Sequence, residues 1–337
     1  MQFGGQGKPS VGIVYDADLG NSIDDALALA MLYGLQNKSE SRVISVSVTK
    51  PSVRAAAFAE ALVRFYTGDP GAFGGAPVIG LSTNGKNGQD TPLITAVLDR
   101  KNAEGKPQYS RSIEKMNDTA DPVAVIRNAL SAQVDQNAIV VMAGPATNVA
   151  GVLGNPEAYG WVPKKARYLC VAVGAYPNGG PEPAVAADIP AARKVFGEWP
   201  GQIIAAGPDI GEALPFPVAS LDKEFAWAPE HPLVDAYKAA RTMPYEASTT
   251  ALAAVLQAVR PQEKYFKLSE PGTISVLDDG RTRFTPSANG KHQYLIPDPA
   301  QKEKILAAYV ELASTKQVAR PQRFRPPAAN QQQQKKQ

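Results

Sequence analysis

Four aspartates fall within ten residues of one another in the stretch GIVYDADLGNSIDDALALAML, residues 12–32: Asp16, Asp18, Asp24 and Asp25. Carboxylates that close repel, and each needs a partner to stay ionised. A hard divalent cation is the simplest partner, because Ca2+ and Mg2+ gather several oxygen ligands at once. A plainer reading competes with it. Asp24 and Asp25 stand where a helix pattern opens, and acidic residues in a first turn complement the helix dipole without any ligand.

The elements around the aspartates favour a shared site. The apolar run VGIVY (11–15) reads as a strand, and 24–37 reads as a helix. Asp16 and Asp18 therefore end a strand, and Asp24 and Asp25 begin the next helix. Gly20 and Asn21 suit the tight turn between them. Downstream, 42–48, 76–82, 137–144, 166–175 and 201–207 read as strands. Helical patterns at 54–66, 122–134 and 189–197 lie between them. This alternation predicts an α/β fold with a mainly parallel sheet flanked by helices. In such sheets ligands gather beyond the carboxyl ends of the strands, which is where these aspartates fall. After residue 215 the pattern changes. Helices are expected at 231–241, 249–260 and 301–314. TISVLDD, RTRFTP and HQYLIPD form a small C-terminal β element with DDG as a hairpin turn.

Composition sets the outer limits. The chain has 337 residues, 44% of them hydrophobic, which is ample for a large core. Its net charge is +3, yet the last 21 residues, QVARPQRFRPPAANQQQQKKQ, hold five basic residues and no acid. Removing those five charges leaves −2 on the body, so the basic balance belongs to a tail and marks no nucleic-acid surface. The expected organisation is a flexible start (1–10), a single α/β domain (11–316) and a disordered basic Gln/Pro-rich tail (317–337). The one cysteine, Cys170, permits no intramolecular disulfide and no cysteine zinc cluster, and reads as a small apolar strand residue. No apolar run reaches the 18 residues of a membrane span, so no membrane partner is expected. The start MQFGGQGKPS lacks the form of a signal peptide; the expected location is the cytoplasm, or outside the cell by a leader absent from this chain.

Asp-x-Asp after a strand also opens phosphatases of the haloacid dehalogenase type, in which the first Asp is the nucleophile and the second an acid. That scheme needs a second acidic motif, and MAGPATN supplies only a Thr. A closer likeness lies elsewhere. DADLGNSIDDALAL resembles the opening motif of the inosine/uridine-preferring nucleoside hydrolase family: Asp-x-Asp, a Gly turn, then Asp-Asp-Ala on a helix. VMAGPATNVA (141–150) resembles its Gly-Pro-x-Thr-Asn landmark. AARKVFGEWPGQIIAAGPDIGEAL resembles a later segment, and HPLVDAYKAA and AAVLQAVRP match C-terminal helices. The likeness runs in order from about residue 11 to 315.

This resemblance implies a nucleoside hydrolase-like fold holding Ca2+ at the strand ends. It implies hydrolysis of N-glycosidic bonds in ribonucleosides, through an oxocarbenium-like state. Asp18 would be metal ligand and general base, and Asp25 a second ligand. Thr147 would lend its backbone carbonyl to the metal. Asp24, Asn148 and Glu182 would bind substrate, and Asp16 would support the cluster. A homo-oligomer is also implied, with a small nucleoside or riboside as ligand.

Three positions depart from the family pattern. Ala251 stands where a further aspartate ligand is expected, and Ala184 where an asparagine holds the sugar. Lys50, Pro51 and Ser52 replace a segment that often carries an asparagine. Each change removes a polar group from the same pocket, so Ca2+ would bind weakly. Two functions follow: an N-riboside hydrolase with altered activity, or a catalytically degenerate paralogue that binds a ligand or a partner. The two histidines, His231 and His292, read as structural. Tyr245 is a candidate base contact, and Glu246 a candidate replacement for the missing ligand.

Overall fold

The computed structural model describes residues 10–68 and 78–316. The expected tail lies outside these residues, as does the expected flexible start except for its last residue.

Ten strands occur among the described residues: β1 (Val11–Ala17), β2 (Ser41–Val48), β3 (Ile79–Leu81), β4 (Ala138–Ala143), β5 (Ala166–Val171), β6 (Gln202–Ala205), β7 (Lys267–Leu268), β8 (Gly272–Val276), β9 (Thr282–Pro286) and β10 (His292–Ile296). Helices α1 (Ile23–Asn37), α2 (Val53–Thr67), α3 (Pro92–Leu98), α4 (Pro122–Ser131), α5 (Thr147–Val152) and α6 (Ala158–Lys165) accompany the first strands. Then come α7 (Pro183–Ala187), α8 (Ile189–Glu198), α9 (Pro208–Ala213), α10 (Leu221–Glu224), α11 (Pro232–Ala240), α12 (Thr250–Val259) and α13 (Lys302–Ala313).

The strands join one sheet in the order β3-β2-β1-β4-β5-β6-β10-β8-β9, with β7 on β10. From β3 through β6 to β10 the pairing is parallel. The antiparallel β8–β9 pair finishes one edge, its turn carrying Gly280 at φ +82° after the two aspartates of DDG. The expected C-terminal β element is present, and it extends the main sheet: β10 lies parallel to β6, with His292 opposite Ile203. The strand expected over 166–175 stops at Val171, short of Gly174, whose φ is +87°.

Period-two alternation divides β1 between two cores. Ile13, Tyr15 and Ala17 pack into one with α1, α2, α12 and α13. Val14 faces the other, with α4, α5 and α8. Asp16, in phase with Val14, consequently points toward α5. Helix α1 is apolar nearly all round, and every residue from Ala26 to Leu35 is buried. Such a helix is stable only inside the fold. Fully burying each Leu or Met there contributes about 1.5–3 kcal/mol. Helix α13 comes so close that a Cβ on Gly34 would stand 2.1 Å from the Leu312 carbonyl oxygen. The greasy body of α1 thus fixes where its acidic N-terminus must lie: inside the protein, at the carboxyl end of β1.

Candidate active site

The loops after β1, β2 and β4 converge at one end of the sheet. A Cβ on Gly144 would meet the Asp18 backbone nitrogen at 2.6 Å and Thr49 Oγ1 at 2.7 Å, so only glycine permits this approach. Asp16 is fully buried. Ser47, its register partner on β2, donates to Asp16 Oδ1 at 2.5 Å, and Asn148 Nδ2 donates to the same oxygen at 2.9 Å. Among the described residues Asp16 Oδ2 has no hydrogen-bond partner, nor has Thr49 Oγ1. Burial pushes the Asp16 carboxyl up to about 7, against the pull of Asn148 and Ser47.

The Asp18 and Asp25 carboxyls lie within each other's electrostatic reach, where two ionised groups would repel. Burial raises both. Asp25, 4% exposed, is driven far above the usual carboxylate range by burial and then by the charges of Asp18 and Asp24. Asp18 is restrained by Asn21, whose Nδ2 donates to Asp18 Oδ2 at 2.8 Å. Asn21 in turn accepts from the Lys50 ammonium at 2.7 Å.

Asp24 has taken a different post. Its carboxylate accepts the backbone N–H of Ala251 at 2.8 Å and that of Leu252 at 3.4 Å, closing the N-terminus of α12. Hydrogen bonds to a charged group are worth about 1.5–3 kcal/mol each. Ala251 itself is buried, with no side-chain oxygen to offer. Glu182 likewise caps α7, accepting from Ala184 at 3.1 Å and Val185 at 3.0 Å, and also from Gly174 at 3.2 Å. Burial raises its carboxyl, and the Asp18 charge adds to this. Ala184 packs against the second core. Ser52 caps α2, accepting from Ala55 at 3.4 Å. Thr147 begins α5 directly after β4, and its hydroxyl donates to Asp188 at 2.7 Å. A cleft of about 390 Å3 opens beside Thr147 and Asn148, lined also by Ser82, Asn84 and Asp121.

Asp16, Asp18, Asp25 and Asn148 therefore meet, and Glu182 lies within their electrostatic reach. Tyr245, Glu246 and the two histidines lie elsewhere. Glu246 is exposed. Tyr245 stacks on Tyr237 at 4.7 Å and donates to the Tyr237 carbonyl. His292 Nδ1 accepts from the Ile274 backbone at 2.9 Å, between two strands. His231 is buried among aromatic rings. Sequence reasoning gave no pocket role to Ser47, Asn21 or Lys50. A signal for Ser47 existed, a polar residue opposite Asp16 in a parallel pair. Lys50 carried none, since a lysine after a strand ordinarily points to water.

A divalent cation can be tested against this donor set. Among the described residues no three His, Cys, Asp or Glu side chains stand at metal-holding spacing. The fit is instead a converging pair, Asp18 and Asp25, with the unpartnered Asp16 oxygen buried nearby. Oxygen donors of this kind suit a hard cation.

No family model matches the sequence, and no curated protein matches it either. Solved structures do. An inosine-uridine preferring nucleoside hydrolase from Bacillus anthracis shares 14% identity, covering 90% of this chain and 99% of that one, with a TM-score of 0.65. A purine-preferring ribonucleoside hydrolase from Gardnerella vaginalis shares 17%, over 90% and 98%, with a TM-score of 0.66. A plant nucleoside hydrolase shares 18%, over 91% and 99%, with a TM-score of 0.64. With likeness across nine-tenths of its length, this chain has the fold of the nucleoside hydrolases.

Proposed function

We propose that this chain hydrolyses N-glycosidic bonds in ribonucleosides or related N-ribosides with the help of a weakly held Ca2+. The observation that carries the reading is the meeting of the Asp18 and Asp25 carboxyls at the carboxyl end of β1. Two carboxyls crowded into one buried pocket repel when ionised, and a cation relieves that repulsion. Asp18, Asp25 and the Thr147 carbonyl would hold the ion. When bound, it supplies positive charge that orients sugar hydroxyls and makes water more acidic.

The protein's own groups do the rest. Asp18, steadied by Asn21, takes the proton of the attacking water. Asp16, held by Ser47 and Asn148, supports the cluster. Asp24, Glu182 and Asn148 receive the sugar hydroxyls. Asp24 and Glu182 already hold helix N-termini, which fixes their carboxylates before substrate arrives.

One observation favours a second reading, a degenerate paralogue that binds without turnover. Asp24 is tied to the backbone of Ala251, and the side chains of Ala251 and Ala184 offer the pocket no polar group. Calorimetric titration with CaCl2, with and without ribose, separates the readings when followed by a nucleoside panel. The expected result is calcium binding that disappears in Asp18→Ala, together with base release that also needs Asp18. Binding without base release supports the paralogue. No binding at millimolar calcium and no base release overturn the hydrolase.

A further inference from the structure

We propose that Lys50 is a resident counter-cation of the carboxylate pocket: its ammonium, tied to Asp18 through the Asn21 amide, sets how tightly a divalent ion is held. This rests on the metal-dependent reading above and names the residue that regulates that metal's affinity.

Lys50 lies just beyond β2, and only 2% of it is exposed. Its Nζ donates to Asn21 Oδ1 at 2.7 Å and to the Asn87 carbonyl oxygen. The Asn21 amide then donates to Asp18 Oδ2 at 2.8 Å. Cation, amide and carboxylate form one unbroken line. The amide is polarised at both ends, so the carboxylate receives part of the ammonium's charge through it. Room for this line is built into the backbone. Gly20 turns at φ +97°, and a Cβ there would touch the Lys50 stem at 3.6 Å and clash with Ile94 at 2.6 Å.

A buried ammonium is costly unless its surroundings carry negative charge or acceptors. Here both acceptors are neutral, and the countercharge comes from Asp18 and from Asp90. Burial pulls the Lys50 ammonium below its ordinary value, and the charges of Asp18 and Asp90 offset part of that cost, while Asn21 and Asn87 hold it in place. Any divalent ion entering beside Asp18 meets a positive charge already installed, in an interior where charges are weakly screened. Lys50 thus competes with the metal electrostatically while occupying none of its ligands. It is a positioning residue for Asp18 and a brake on metal binding.

The test is calorimetric titration of CaCl2 into the full chain and its variants at one pH and ionic strength. Lys50→Met is expected to bind Ca2+ at least about tenfold more tightly, since a repelling charge is gone. Lys50→Arg, which keeps the charge, is expected to stay within about threefold of the parent. If Lys50→Met does not fold, Lys50→Gln is read in its place, because it keeps a donor for the Asn21 and Asn87 oxygens. Tighter binding in the neutral variant supports the proposal, including when the parent itself shows none. Parent binding with no gain in the neutral variant overturns the proposal and leaves the metal reading intact. Absence of binding in parent and variants alike overturns both.

Discussion

Two regions bury ionisable groups without full compensation, and they differ in kind. At the end of β1 the carboxyls face one another, one Asp16 oxygen is unpartnered, and loops from three strands meet over them. At the N-terminus of α11, His231 is 2% exposed, and neither ring nitrogen has a hydrogen-bond partner among the described residues. It is walled in by Phe65, Phe225 and Trp227, with ring centroids 4.4, 5.2 and 5.3 Å away. The pocket would gain from an incoming charge. The imidazole nest would only lose, for its described neighbours are aromatic rings that hold no charge. Unpaired burial by itself marks no site. Convergence of like groups toward a shared point does.

The two regions also pull stability in opposite directions with pH. Asp16 keeps its proton up to about pH 7, whereas the unfolded chain releases it near 3.8. Its contribution is present below 3.8 and lost as pH rises to about 7. His231 is pushed down to about 3 by burial, from an ordinary 6.5. Stability is whole above 6.5 and drains away as pH falls toward 3, because only the unfolded chain takes up the proton.

The contrast sharpens most at Asp25. Asp25→Asn is expected to lower kcat/KM on ribonucleosides by about 1,000-fold or more, about 4 kcal/mol of transition-state stabilisation. The same variant should melt higher than the parent in metal-free buffer, because one crowded acid is gone. A lower metal-free melting temperature would break the comparison. Next in size is His231→Phe. A ring fitted to the aromatic nest should remove roughly 3 kcal/mol of the stability lost between pH 7 and pH 4. Urea midpoints across that range would show a flatter acid limb, and an unchanged limb would mean that His231 does not set it. Smallest is Ala251→Asp. Its carboxylate meets that of Asp24, and should cost roughly 1–3 kcal/mol in metal-free buffer. Scanning calorimetry should show the loss repaired by CaCl2, since a ligand has been added.

The sequence carried the sheet class because β-rich runs and amphipathic patterns alternate, and local periodicity is enough for that. It also carried the meeting of Asp16, Asp18 and Asp25, since a strand end and a helix start joined by a short turn cannot lie far apart. The post taken by Asp24 was not legible. Ala251 stands 227 residues further on, and its contribution is a backbone N–H that any residue would supply. The same holds for Glu182, whose partners are main-chain nitrogens. Nor was Lys50 legible, because its burial follows from Asn21 and Asn87 meeting across a gap of 66 residues. Contacts made by main chain, or by a long side chain reaching sideways, leave no spacing to read.

The insertion of β10 between β6 and the antiparallel pair has a consequence for synthesis on the ribosome. Strand β6 is complete at Ala205, yet its neighbour begins only at His292. During elongation the free side of β6 waits, unpaired and apolar, while almost 90 further residues emerge. At ordinary translation speeds of roughly 5–20 residues per second, that interval lasts about 4–17 seconds. For that time the nascent chain carries an open sheet edge able to recruit strands from neighbouring polysomes, so chaperone occupancy should peak over this window.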